Sequence, residues 1–154
     1  MRAMKISAGL GALTAATAVF AYGGPPPEVA LVRSQLWLVE EPTGFQSPSG
    51  NVGCRIDLDM VRCDIAERDW APPARPADCH PNTGFGQGLL VWAAGTSAVV
   101  CGGDTVLGYG EVLPYGDAIQ AGRLQCDSTE AAMRCHDRDT KHGFSLSRDG
   151  YELF

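Results

Sequence analysis

The sequence predicts a mainly β domain, a small barrel or sandwich of short antiparallel strands stapled by disulfides. Three observations carry this expectation. The chain has six cysteines, an even number, all between residues 54 and 135 and all downstream of an export-type N-terminus. A ten-residue frame, "CRIDLDMVRC" at 54–63, recurs as "CDSTEAAMRC" at 126–135, each with an apolar residue and an arginine before its closing cysteine. Short apolar runs are interrupted every few residues by glycine or proline, and no long stretch carries the stripe of an amphipathic helix.

The N-terminus reads as a secretory signal. "MRAMK" places two positive charges before "ISAGLGALTAATAVFAY", an uncharged run of small and apolar residues. Val19 and Ala21 supply the small side chains that a signal peptidase needs, so residues 1–21 are expected to be removed. Only an uncleaved signal would make the membrane a partner. Residues 22–44 start with "YGGPPPEVA", a tether, and continue through Leu36, Trp37 and Leu38, a short strand or helical turn expected to dock on the domain. Without Arg2 and Lys5 the formal net charge moves from −6 to −8. Such a surface repels phosphate backbones, so nucleic acid is excluded as a partner.

Residues 45–154 form the stapled β domain. In an antiparallel hairpin an even number of intervening residues sets the two end residues opposite each other, within reach of a disulfide. Cys54 therefore pairs with Cys63 and Cys126 with Cys135, and Cys79 is left to pair with Cys101. Val52, Cys54 and Ile56 alternate with Gly53 and Arg55, and Val61, Cys63 and Ile65 alternate with Arg62 and Asp64. "SPSGN" at 47–51 turns the chain from the strand at Phe45 into the first hairpin. The stretch 68–88 is an ordered loop held by Trp70 and Cys79, and "GFGQG" within it reads as a turn. "LLVWAAG" and "SAVVC" make the next two strands, and residues 102–122 supply turns and brief strands. "GFSLSRDGYELF" closes the domain as a hairpin. Asp149–Gly150 is its expected two-residue turn, with Leu146 opposite Leu153 and Phe144 and Tyr151 on the same face.

Chemistry-bearing constellations are sparse. "CHDRDTKHGF" gathers His136 and His142 with Asp137 and Asp139, which reads as a solvated loop after a strand. The paired cysteines lack zinc spacing, and "DLD" and "DRD" lack the rest of a calcium loop, so neither a metal nor a cofactor is expected. No nucleophile motif is present, and no catalytic residue is assigned. Asp104, held between a staple and two glycines, reads as a turn cap. With the aromatic residues Trp37, Trp70 and Tyr109 it forms the candidate binding set.

The strings "FQSPSGNVGC", "VRCDI", "W-x-P-P" at Trp70, "CGGDT", "LPYG" and "HGFSLSRDGYELF" together resemble a family of short secreted actinobacterial proteins, common in mycobacteria and classed as a domain of unknown function. The resemblance runs from about Phe45 to Phe154. It departs from the family pattern in "AAMRC", which lacks a glycine in the second hairpin's turn, and in "NTGFGQG", which lacks that loop's tryptophan, and it implies export and a shared stapled domain. The expected role is an exported, non-catalytic module binding a protein or glycan of the cell envelope. The alternative is a small secreted hydrolase using His136 or His142 with a nearby acid, which requires that the pair sit in a concave site. Exported material should begin at Tyr22 on N-terminal sequencing; a start at Met1 would show that the signal is kept as an anchor.

Overall fold

The computed structural model of the chain describes residues 33–154; the expected signal peptide and most of the tether lie outside the described residues. Twelve strands form: β1 Leu36–Leu38, β2 Thr43–Gln46, β3 Val52–Ile56, β4 Met60–Ile65, β5 Phe85–Trp92, β6 Ser97–Cys101, β7 Glu111–Val112, β8 Ala118–Ala121, β9 Leu124–Ser128, β10 Met133–Asp137, β11 Gly143–Leu146 and β12 Tyr151–Leu153. They build a sandwich of two six-stranded sheets. The N-sheet has the order β6-β5-β4-β3-β2-β7 and the C-sheet the order β1-β8-β9-β10-β11-β12.

The two sheets share one plan. Each is an antiparallel meander of five strands with one further strand laid parallel along its first member: β7 beside β2, and β1 beside β8. Those edge strands are exchanged, because β1 precedes the N-terminal meander yet joins the C-sheet, while β7 precedes the C-terminal meander yet joins the N-sheet. Equivalent registers place Phe45 opposite Cys54 and Ile119 opposite Cys126. The Val39 N–H donates to Gln120 O at 3.0 Å and the Leu113 N–H to Gln46 O at 2.9 Å, so "LVEEPTGFQ" and "VLPYGDAIQ" occupy matching positions. The repeated cysteine frame is thus the most visible part of a repeat that runs through the whole domain.

The disulfides pair as the frame predicts: Cys54–Cys63, Cys79–Cys101 and Cys126–Cys135. The two hairpin staples join residues directly opposite in the ladder, with Cα atoms 4.0 Å apart in each. Around them packs the core: Phe45, Ile56, Val61, Leu89, Leu113, Ile119, Leu124, Phe144 and Leu146, all buried. Alternation explains which residues go in, since successive side chains of a strand point to opposite faces.

Two expectations are refined and two need correction. The segment around Trp37 is an integral edge strand with Trp37 packed on the core, so the domain begins before Phe45. The ladder is not wholly antiparallel, because two- and three-residue strands can add to an edge in parallel without a crossover helix of their own. After Gly84, the "FGQG" of "GFGQG" is the first half of β5 rather than a turn, and a bulge between Phe85 and Leu89 absorbs its irregularity. The closing hairpin forms, but its register differs by two residues: Leu146 faces Tyr151 and Phe144 faces Leu153. A shift of two keeps the four apolar residues on one face. Arg148 and Asp149 form the turn, because tertiary contacts hold it there: the Asp69 N–H donates to Arg148 O and the Trp70 indole N–H to Ser147 O, both at 2.9 Å.

Gly88 and Gly143 hold the same place in the two halves, opposite Asp64 and His136 beside the closing cysteines. A Cβ on either would collide with a backbone carbonyl, Cys63 O or Cys135 O. Gly88→Ala and Gly143→Ala should each lower stability by about 2 kcal/mol or more. Gly103→Ala, with open space around it, should leave the thermal midpoint unchanged. Equal midpoints for all three would refute this packing.

Candidate functional site

The two sheets treat their outer faces differently. Residues 102–110 leave β6 and cross the outside of the N-sheet to reach β7. Gly53 makes room for them, since a Cβ there would lie 2.8 Å from Leu107 Cα. Asp64, fully buried, accepts the Val106 N–H at 3.0 Å and a bidentate pair of bonds from Arg62, both at 2.9 Å. Arg62 also donates to the Asp104 carboxylate at 2.8 Å and carbonyl at 2.7 Å. This contact holds Asp104 below the usual carboxylate range, although its side chain is exposed. Asp104 is therefore a latch for this strap. Arg62 and Asp64 meet because residues i and i+2 of a strand share a face, a signal present in "VRCD".

No described segment crosses the equivalent face of the C-sheet. Arg134 stands where Arg62 does and stacks on Phe154 at 4.0 Å; His136 stands where Asp64 does and Gln125 where Gly53 does. His136 is half-buried on β10 rather than in a loop, with Nδ1 3.7 Å from the Asp127 carboxylate and no hydrogen-bond partner. Burial pushes its pKa down, partly offset by Asp127, and Arg134, Lys141 and Arg138 push it further down. His142 is exposed beyond the end of β10. Neither imidazole lines either of the two principal recesses among the described residues.

The ends of the sandwich also diverge. At one end Asp137, which the sequence placed in a solvated loop, is fully buried at the close of β10. It ion-pairs with Arg123 at 2.6 Å and accepts the N–H groups of Ala94, Asp139 and Thr140 at 2.7, 2.8 and 3.1 Å. Ala94 has a positive φ of 56°, a conformation disfavoured for a side chain and pinned here by that bond. The Ala93 N–H donates to Asp59 O at 2.8 Å, and Leu58 covers Gly122. This end is closed.

At the opposite end the residue equivalent to Asp137 is Ile65 and the one equivalent to Arg123 is Asn51, so no carboxylate gathers the turns. The β11–β12 turn is drawn aside instead: Arg148 bonds Glu67 at 2.9 Å and Asp69 at 3.2 Å, and Trp70 packs on Tyr151 with ring centroids 4.6 Å apart. A cleft of about 590 Å³ remains, lined by the β2–β3, β9–β10 and β11–β12 turns and by Tyr115. Thr129 closes the β9–β10 turn in place of the missing glycine, exchanging bonds with Ala132 N–H and O at 3.1 and 2.8 Å. Tyr115, Glu130 and Asp149 line the cleft and make no hydrogen bond to any described residue. With Glu67 beside Arg148, the lining has an excess of negative charge.

Of the candidate binding residues, Tyr109 and Asp104 share a second recess of about 420 Å³ with Arg55, where the strap meets β2. Trp37 packs on the core, and Trp70 clasps the β11–β12 turn. The cleft residues Tyr115, Glu130 and Asp149 escaped sequence reading, because each lies in an ordinary turn. Among the described residues one sulfur cluster, Cys63, Cys126 and Cys135, has metal-like spacing, but all three sulfurs are already in disulfides. No helix among the described residues is long and apolar enough to cross a membrane. Comparison with protein-family models, with curated proteins and with solved structures gave no match.

Asp137 titrates in a direction that tests the closed end. Burial alone would raise its pKa, but Arg123 and the three backbone N–H groups outweigh it and hold the pKa well below the usual carboxylate range. A group depressed in the folded state stabilises the protein above its unfolded pKa of about 3.9, and that contribution is lost as pH falls through the folded value. Asp137→Asn should thus cost about 3 kcal/mol at pH 7. In denaturant titrations the gap to the unsubstituted protein should narrow below about pH 4; a gap independent of pH would exclude a buried carboxylate.

Proposed function

We propose that the protein is an exported, non-catalytic module of the cell envelope that binds a glycan or protein through the end cleft. Three disulfides mark an oxidising compartment outside the cytoplasm. The observation that carries the reading is the asymmetry of the two ends. One plan, used twice, is closed by Asp137 at one end and held open by the Arg148–Trp70 clasp at the other. Carboxylate and phenol oxygens without protein partners suit a ligand rich in hydroxyl or amine donors, and the acidic lining disfavours an anion. Affiliation with the secreted actinobacterial family belongs to the same proposal and rests on the motifs given above.

The test is a chemical-shift map of the oxidised protein against soluble envelope glycan fragments, and separately against an envelope protein fraction. Shifts should cluster at Tyr115, Glu130 and Asp149 with one of the two. Tyr115→Ser combined with Glu130→Gln should weaken that binding about tenfold, the equivalent of about 1.4 kcal/mol. Shifts confined to the His136 face, or binding unchanged in the double variant, would overturn the assignment of the cleft.

A further inference from the structure

The three disulfides are not equivalent. The two repeated staples are fully buried in the core. Cys79–Cys101 lies outside the repeat and joins the loop after β4 to the end of β6, where Cys101 is exposed while Cys79 is 3% exposed. One sulfur of this bridge also meets a cation. Arg75 Nη1 lies 3.2 Å from Cys79 Sγ and is fixed there by the carbonyls of His80 at 3.1 Å and Thr83 at 2.8 Å, with the guanidinium over the Phe85 ring. Among the described residues no carboxylate neutralises Arg75 within salt-bridge distance.

We infer that Cys79–Cys101 is a thiol–disulfide exchange site whose co-substrate is a dithiol, with Cys101 the sulfur attacked and Cys79 the leaving group. Exchange runs by attack of a thiolate on one sulfur, and it is faster when the departing sulfur is a better anion. A cation beside a sulfur lowers its thiol pKa and so stabilises that anion. The donor thiolate forms a bond to Cys101 Sγ as the Cys79–Cys101 bond breaks, and the electron pair leaves on Cys79 Sγ beside Arg75. The donor's second thiol then attacks the mixed disulfide, releasing Cys101 as a thiol and the donor as its own disulfide. Two electrons and two protons pass from donor to bridge. The core staples take no part, because no thiolate reaches them in the folded state. Release of the bridge frees the loop whose near end, through Asp69 and Trp70, holds the β11–β12 turn.

The experiment uses the oxidised full chain with limiting dithiothreitol at pH 7, quenched with iodoacetamide and mapped by peptide mass. Cys79 and Cys101 should be labelled at least about tenfold faster than the other four cysteines, and a monothiol should be trapped on Cys101. Arg75→Ala should slow labelling about tenfold, by the same factor at every pH, because the pH dependence belongs to the attacking dithiothreitol thiol and Arg75 acts on the departing sulfur, while Arg75→Lys keeps much of the rate. A thermal midpoint equal to that of the unsubstituted protein would show that the slowing is not a loss of fold. If Arg75→Ala lowers the midpoint, Arg75→Gln takes its place and must slow the exchange. Labelling of all six cysteines together, capture of the monothiol on Cys79, or an unchanged rate in the neutral variants would overturn the site.

Discussion

At the centre of the sandwich the two staples touch: Cys63 Sγ and Cys135 Sγ are 3.7 Å apart, in van der Waals contact because both sulfurs are already bonded. The remaining architecture depends on this contact. Each staple lies in a cross-strand row, Phe45–Cys54–Cys63–Leu89 in one sheet and Ile119–Cys126–Cys135–Phe144 in the other. Fixing the cysteines fixes the register of two strands in each sheet, to which the ladder adds a neighbour on either side, and pressing the rows together fixes one sheet on the other. Each ten-residue loop so closed contributes roughly 2–3 kcal/mol in the chain-entropy model, a large share for a domain with so small a core. The exchanged strands β1 and β7 complete the arrangement, since each half supplies the edge that the other half lacks.

A shared plan lets differences be read as alterations of one template. In the N-sheet, glycine at 53 and a carboxylate at 64 let a segment of the chain lie flat on the outer face and be held by its backbone. In the C-sheet, glutamine and histidine at those places fill the space and leave the face bare. A carboxylate at 137 gathers three turns at one end, whereas isoleucine at 65 gathers none at the other. In each case one side chain, charged and buried or uncharged, decides whether a stretch of loop is bound. Buried charge has this power because it must find partners, and loop N–H groups are the partners within reach.

The elements legible in the sequence were those set by short-range rules: the staples, the alternating strands around them and the parity of the last hairpin. Period two and an even cysteine gap need no tertiary knowledge. What stayed hidden was decided at a distance. Two residues cannot announce a strand, so β7 and its parallel pairing with β2 were invisible, and the exchange of edges with them. Asp149–Gly150 had the better turn chemistry, but Trp70 and Asp69 hold the turn one residue earlier. Asp137 looked solvated because acids usually are, and Asp64 read only as a polar position of an alternating strand, although "VRCD" already put Arg62 and Asp64 on one strand face. Tyr115, Glu130 and Asp149 come together only when three turns meet.

The third disulfide follows from the same reasoning. Nothing in the repeat calls for it, and the C-terminal half has no counterpart. In the C-terminal half residues 138–142 join β10 to β11, whereas the N-terminal half spends residues 66–84 between β4 and β5. A loop of that length without strands of its own carries a large entropic cost unless it is tied down. It is tied at one end by Trp70 and Arg68, whose guanidinium bonds Gly86 O and stacks on the Trp70 ring, and at the other by Cys79. Its near end displaces the β11–β12 turn, and that displacement holds the cleft open where the other end of the sandwich is shut. Cleft, long loop and accessible bridge therefore form one linked departure from the repeat.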